Sequence, residues 1–146
     1  MYSTDPYAVR FREARERVGL SPDEAALRMG ISNASLWDIE CSDELTIYSP
    51  TEIRQFCQVL GLSPKELFGV ETSASGITAA DLAALIREHC RLRGIAIQQF
   101  EDATGWYVAK SLDDPEQFLH DDYSIDGIQD ICRELEVDWQ RFILSL

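Results

Sequence analysis

Slid against itself by 75 positions, the chain meets its own pattern without a gap. Ala8 falls on Ala83, Arg12-Glu13 on Arg87-Glu88, Gly19 on Gly94 and Gly30 on Gly105. Further along, Ala34 falls on Ala109, Asp38 on Asp113, Tyr48-Ser49 on Tyr123-Ser124, Ile53 on Ile128, Cys57 on Cys132 and Leu60 on Leu135. Twelve identities are few, but a constant offset with glycines at matching places is the mark of one small unit used twice. The units so defined are residues 1–70 and 81–146, joined by a linker at 71–80 that carries the flexible run from Thr72 to Gly76. A length of 146 residues suits one ordinary domain or two small ones, and the repeat selects two.

Within the first unit, Phe11, Ala14 and Val18 fall on one face at helical spacing, and Gly19 ends that helix. Ser21-Pro22-Asp23-Glu24 is an N-cap with proline at the first helical position; the short helix it opens ends at Gly30. Ser32 caps a third helix, Asn33 to about Cys41, with Leu36 and Ile39 inward. A polar stretch follows. Ser49-Pro50 then opens a fourth helix ending at Gly61, and Ser63-Pro64 opens a last short turn at Leu67-Phe68. In the second unit Leu82, Leu85, Ile86 and Cys90 form the first stripe, ended by Gly94. Ile97–Thr104, Trp106–Leu112, Ile125–Leu135 and Trp139–Leu144 follow, with Asp113-Asp114-Pro115 breaking the third helix. No segment alternates with period two, so the predicted class is all-α: two tandem five-helix units.

The first unit resembles the lambda-repressor-like (Cro-type, XRE) helix-turn-helix family. The residues that carry the resemblance are Phe11 to Val18, Leu20-Ser21, Glu24-Ala25-Ala26, Met29-Gly30-Ile31-Ser32, Leu36, Ile39-Glu40, Phe56 to Gly61 and Leu67-Phe68. The second unit resembles the family through its alignment to the first. The resemblance implies that the third helix lies in the DNA major groove while the second crosses the phosphate backbone. Several positions depart from the family pattern. Pro22 stands where the family usually has a phosphate-binding Gln, and Ser42 where it has Gly. The segment from Ser32 to Glu44 has no basic residue and four acidic ones, Asp38, Glu40, Asp43 and Glu44.

Charge bears on the same question. The chain has 13 basic and 26 acidic residues, a net charge of −13, which repels phosphate backbones and anionic membranes and favours basic partners. Residues 1–75 hold 7 basic and 12 acidic residues, leaving 6 and 14 for residues 76–146, so neither half carries a basic stripe. Arg10, Arg12, Arg15 and Arg17, paired in sequence with Glu13 and Glu16, read as a solvated face of the first helix, and Arg87, Arg91 and Arg93 repeat the arrangement. The candidate recognition residues are Asn33, Ser35, Trp37, Asp38, Asp43 and Glu44. Their second-unit equivalents are Trp106, Tyr107, Lys110, Asp113, Asp114, Asp121 and Asp122.

Two functions fit. In one, the acidic faces bind a basic protein partner, as an immunity protein, antitoxin or anti-repressor does. In the other, the chain is a DNA-binding regulator with Asn33 and Ser35 on the bases. The residues favour the first, which is the expected function, and the resemblance favours the second, its alternative. No catalytic or metal-ligating set is expected, and no cofactor: His89 and His120 occupy non-equivalent positions, and the four cysteines form no C-x-x-C pair. Cys57 and Cys132 read as core. No signal segment and no run long enough for a membrane span is seen, so a cytoplasmic chain with reduced thiols is expected. The duplication supplies both halves of a dimer in one chain. Light scattering is therefore expected to return the mass of a single chain; a dimer mass would contradict an internal pseudo-dimer.

Overall fold

The computed structural model describes residues 1–146. Three helix starts of the first unit are written locally. The hydroxyls of Ser21, Ser49 and Ser63 each accept the amide N–H three residues on, and a proline occupies the first helical position behind each. Proline costs nothing there, because that N–H has no intrahelical partner. The first unit runs α1 (Pro6–Arg17), α2 (Pro22–Met29), α3 (Asn33–Cys41), a 3₁₀ turn (Glu44–Ile47), α4 (Pro50–Leu60) and α5 (Pro64–Phe68). The second runs α6 (Ala79–Arg93), α7 (Ile97–Thr104), α8 (Ala109–Asp113), α9 (Pro115–Asp121), α10 (Ile125–Glu134) and α11 (Gln140–Ile143). There is no strand, and no helix is long and apolar enough to cross a membrane. The fold is all-α.

The offset of the sequence is also the offset of the structure. Subtracting 75 places α7 on residues 22–29, the span of α2, and α10 on 50–59 against 50–60 for α4. The linker is partly structured: Ile77 is buried and its N–H donates to the Arg141 carbonyl, and Ala79 and Ala80 already belong to α6.

The second unit departs from expectation in one place. Instead of one helix over Trp106–Leu112 followed by a loop, the chain forms α8, which starts three residues later, at Ala109, and then a separate helix, α9. Pro115 has no N–H and forces Asp114 out of the helical region, to φ −140° and ψ 72°. The Asp114 carboxylate then accepts the Gln117 N–H and caps α9. The breaking signal is thus also a starting signal, and Asp121 lies in a helix rather than in a loop.

Phe11, Leu36, Ile39, Ile53 and Phe56 fill the first core; Ile86, Phe100, Ile128, Ile131 and Phe142 fill the second. The cores are not separate. Ile125 and Ile143 of the second unit are buried in the first core, and Trp139 packs against both. Contacts between the units occur in exchanged pairs. The 3₁₀ turn packs on α10, its counterpart α9 packs on α4, and α5 packs on its own counterpart α11. That is the pattern of a two-fold interface, in which i meets j and j meets i. One hydrogen bond breaks it: the Ile125 N–H donates to the Tyr48 carbonyl at 2.9 Å, whereas the mirror donor is Pro50, which has none.

His120 lies in this interface. It is buried, and its ring meets Phe142 edge-on at 5.7 Å. Burial, and then the charge of Arg54 from the other unit, push its pKa below the ordinary histidine value of 6.5, against the pull of Glu116 and Asp121. A neutral His120 therefore contributes stability that is present above about pH 6.5 and lost as pH falls below it, since the unfolded chain takes up the proton more readily. Thermal melts from neutral to mildly acidic pH are expected to show Tm falling through this range. In His120→Gln that part of the slope disappears; an unchanged slope would remove His120 as its source.

Candidate functional site

The helix-turn-helix of the first unit is α2, a turn and α3. Gly30 closes α2 at φ 72°, a left-handed conformation that a side chain disfavours, and Ser32 restarts the helix by accepting the Ser35 N–H. What holds α3 in place is an ion pair. Arg15 on α1, 4% exposed, grips Glu40 on α3, 1% exposed. Its Nε lies 3.1 and 3.2 Å from the two carboxylate oxygens and its Nη2 2.9 Å from one of them. Nη1 donates to the Leu20 carbonyl at 3.0 Å, tying in the turn before α2. Burial alone works against the guanidinium's charge, and the hydrogen bonds and charge of Glu40 outweigh it, holding Arg15 more firmly protonated than in water. No buried side-chain nitrogen or oxygen in the structure lacks a partner.

This corrects the sequence reading twice. Arg15 is not part of a solvated face, although Arg12, 3.9 Å from Glu16, behaves as expected. Glu40 is not part of the acidic surface of α3. A charged residue in a run of charges gives no local sign of burial; only the crossing of α1 with α3 puts these two together.

The remaining candidates sit as follows. Asn33 is exposed and Ser35 half-buried in the first turn of α3, which holds no acidic residue. Trp37 is 43% exposed even though Tyr2 of the N-terminal tail stacks on it at 5.7 Å and 22°. The Arg12 guanidinium lies over the Tyr2 ring, 4.4 Å from its centroid. The tail is held there by the Ser3 N–H, which donates to the Glu40 carbonyl at 2.9 Å, and by the Ser3 hydroxyl, which donates to Asp43. Asp38 is exposed and Glu44 half-buried. Neither Tyr2 nor Ser3 was legible as a neighbour of α3.

In the second unit Trp106, Tyr107, Lys110 and Asp122 come together around one cavity, with Glu101, Phe118 and Tyr123 completing it. Asp113, Asp114 and Asp121 stand apart. Asp113 lies 3.7 Å from Arg87, Asp114 caps α9, and Asp121 accepts the Thr51 hydroxyl. Arg87 also donates to the Leu112 carbonyl at 2.9 Å, closing the end of α8. Cys57 and Cys132 are buried, and burial pushes both thiols up to about 12, as core positions require.

A family model described as a helix-turn-helix domain matches residues 6–67. The match spans α1 to α5, so the first unit carries a fold typical of DNA-binding regulators; α6 to α11 lie outside it. No curated protein and no solved structure matches the chain.

Removing one partner of the buried pair leaves the other charge uncompensated. Arg15→Met is expected to cost about 3–5 kcal/mol in urea denaturation, and Arg15→Met with Glu40→Leu to recover most of that loss. A cost under about 1 kcal/mol would place the pair in the weak class of surface bridges.

Proposed function

We propose that the chain is a helix-turn-helix regulatory protein of the lambda-repressor-like type whose first unit reads duplex DNA through the leading turn of α3. One observation carries the proposal. The helix-turn-helix match at residues 6–67 coincides with an intact α2–turn–α3 whose first reading turn is solvent-facing and free of acidic side chains. In docked helix-turn-helix proteins that turn is the part that meets base edges. Asn33 has the amide that pairs with adenine, and Ser35 offers a hydroxyl. The N–H groups of Asn33 and Ala34 have no intrahelical partner and lie at the positive end of the helix, where phosphate is attracted.

The burial of Glu40 with Arg15 supports this reading, because it removes one of the four acids from the face. Asp38 remains on the helix, with Asp43 and Glu44 beyond its end. Net charge of −13 opposes approach to DNA, so affinity rests on direct contacts more than on counterion release, and salt dependence is shallow. In the same reading the two units descend from one by duplication, the second serves as a built-in dimer partner, and no reaction is catalysed.

A second reading has α3 bind a basic protein, in the manner of an antitoxin or anti-repressor. Half-exposed Trp37 beside exposed Asp38 favours it, since aromatics anchor interfaces. Selection from a randomised duplex pool at low salt separates the two. DNA reading is expected to enrich a site, and Asn33→Ala to lose about 1–3 kcal/mol of preference for it over random duplex, the worth of one bidentate base contact. Absence of any enriched site would transfer α3 to protein recognition.

A further inference from the structure

We infer that the second unit carries a groove for an arginine side chain of a basic protein partner. The site lies apart from α3 and does not depend on whether α3 reads DNA. Between α7 and α8 the chain Gly105–Val108 is non-helical, one residue longer than the turn between α2 and α3, and two adjoining cavities open there, of about 580 and 450 Å³, sharing Glu101, Trp106 and Tyr107.

The walls are aromatic and held in place. The Trp106 indole N–H donates to Asp130 at 3.0 Å, and the ring lies so close to Gly127 that a Cβ there would meet it at 3.1 Å. Tyr123 meets Trp106 edge-on at 5.9 Å and donates its hydroxyl hydrogen to the Tyr107 carbonyl. Phe118 closes the side. Tyr107 serves the fold through its backbone carbonyl only; the residue is the most exposed aromatic of the chain, at 88%. A rigid ring left in solvent beside an aromatic cavity is a contact waiting for a partner, and tyrosine is among the residues that dominate interface energies.

The rim states the charge of that partner. Glu101, Asp102 and Asp122 line the two cavities, against one cation, Lys110. Glu101 is fixed by a single oxygen, which accepts the N–H groups of Val108 at 2.7 Å and Ala109 at 3.1 Å. Rings together with carboxylates select a cation that is flat and weakly hydrated. A guanidinium stacks on tyrosine or tryptophan while its N–H groups fork to a carboxylate; a lysine ammonium, compact and strongly hydrated, does only the first and does it less well. The larger cavity exceeds one side chain, so the arginine arrives on a segment of chain.

The test uses the full chain, labelled with nitrogen-15 and titrated with acetyl-Arg-Arg-amide at physiological ionic strength, which screens the diffuse acidic field. Three indole N–H signals report on three places: Trp37 on α3, Trp106 in the groove and Trp139 between the units. The expected result is a saturable shift of the Trp106 signal with the other two still. Tyr107→Ala, which leaves the charge and the fold untouched, is expected to weaken binding about fivefold, the loss of one cation–π contact. No shift, shifts of equal size at all three indoles, or an unchanged affinity in Tyr107→Ala would overturn the groove. A dilysine peptide binding as tightly as the diarginine one would overturn its assignment to arginine.

Discussion

The contact on which the first unit turns is the grip of Arg15 on Glu40. Three elements meet in it: α1 gives the arginine, α3 the carboxylate, and the turn before α2 the Leu20 carbonyl. A core of leucines and phenylalanines tolerates small rotations of a helix about its axis; a forked guanidinium on a carboxylate does not. The pair therefore sets how far α3 stands from α1 and which of its faces is turned outward. Asn33 and Trp37 are outside, and Leu36 and Ile39 inside, in part because Glu40 is held where it is. The same residue passes its backbone carbonyl to Ser3 and so fixes the tail that lays Tyr2 over Trp37.

The second unit shows what happens without that pair. The counterparts of Arg15 and Glu40, at the offset of 75, are Cys90 and Pro115. Neither can form the pair, and the segment that aligns with α3 is divided at Asp114 between α8 and α9. Arg87 substitutes weakly, holding the Leu112 carbonyl and lying near Asp113 in solvent. The segment Gly105–Val108 ahead of α8 leaves Tyr107 in solvent beside the Trp106 ring.

Much of this architecture was legible from residue order, and the reasons are local. A serine, a proline behind it and a glycine eight or ten residues on determine where a short helix starts and stops, whatever surrounds it. Such signals placed α2 on Pro22–Met29, whereas α7 on Ile97–Thr104 has only the closing Gly105 of that set. The unread parts all depend on partners remote in sequence. Arg15 and Glu40 are 25 residues apart and look like solvent-facing charges until α1 and α3 cross. Asp114-Pro115 was read as a stop only, since nothing nearby tells that Leu119 and His120 have a core and a neighbouring unit to be buried against. Among the recognition residues, the second unit's Trp106, Tyr107, Lys110 and Asp122 did gather at one place, but Glu101, Phe118 and Tyr123 reach it from α7, α9 and the segment before α10, and no spacing along the chain announces that.

The burial of Ile125 and Ile143 in the neighbouring core has a consequence for dose. Two separate subunits must find each other, and the fraction assembled falls steeply as the protein is diluted. Here the second face is delivered by a linker that keeps it at a high effective concentration however few copies a cell holds. The paired form is present from the first molecule made, and its amount rises in simple proportion to synthesis.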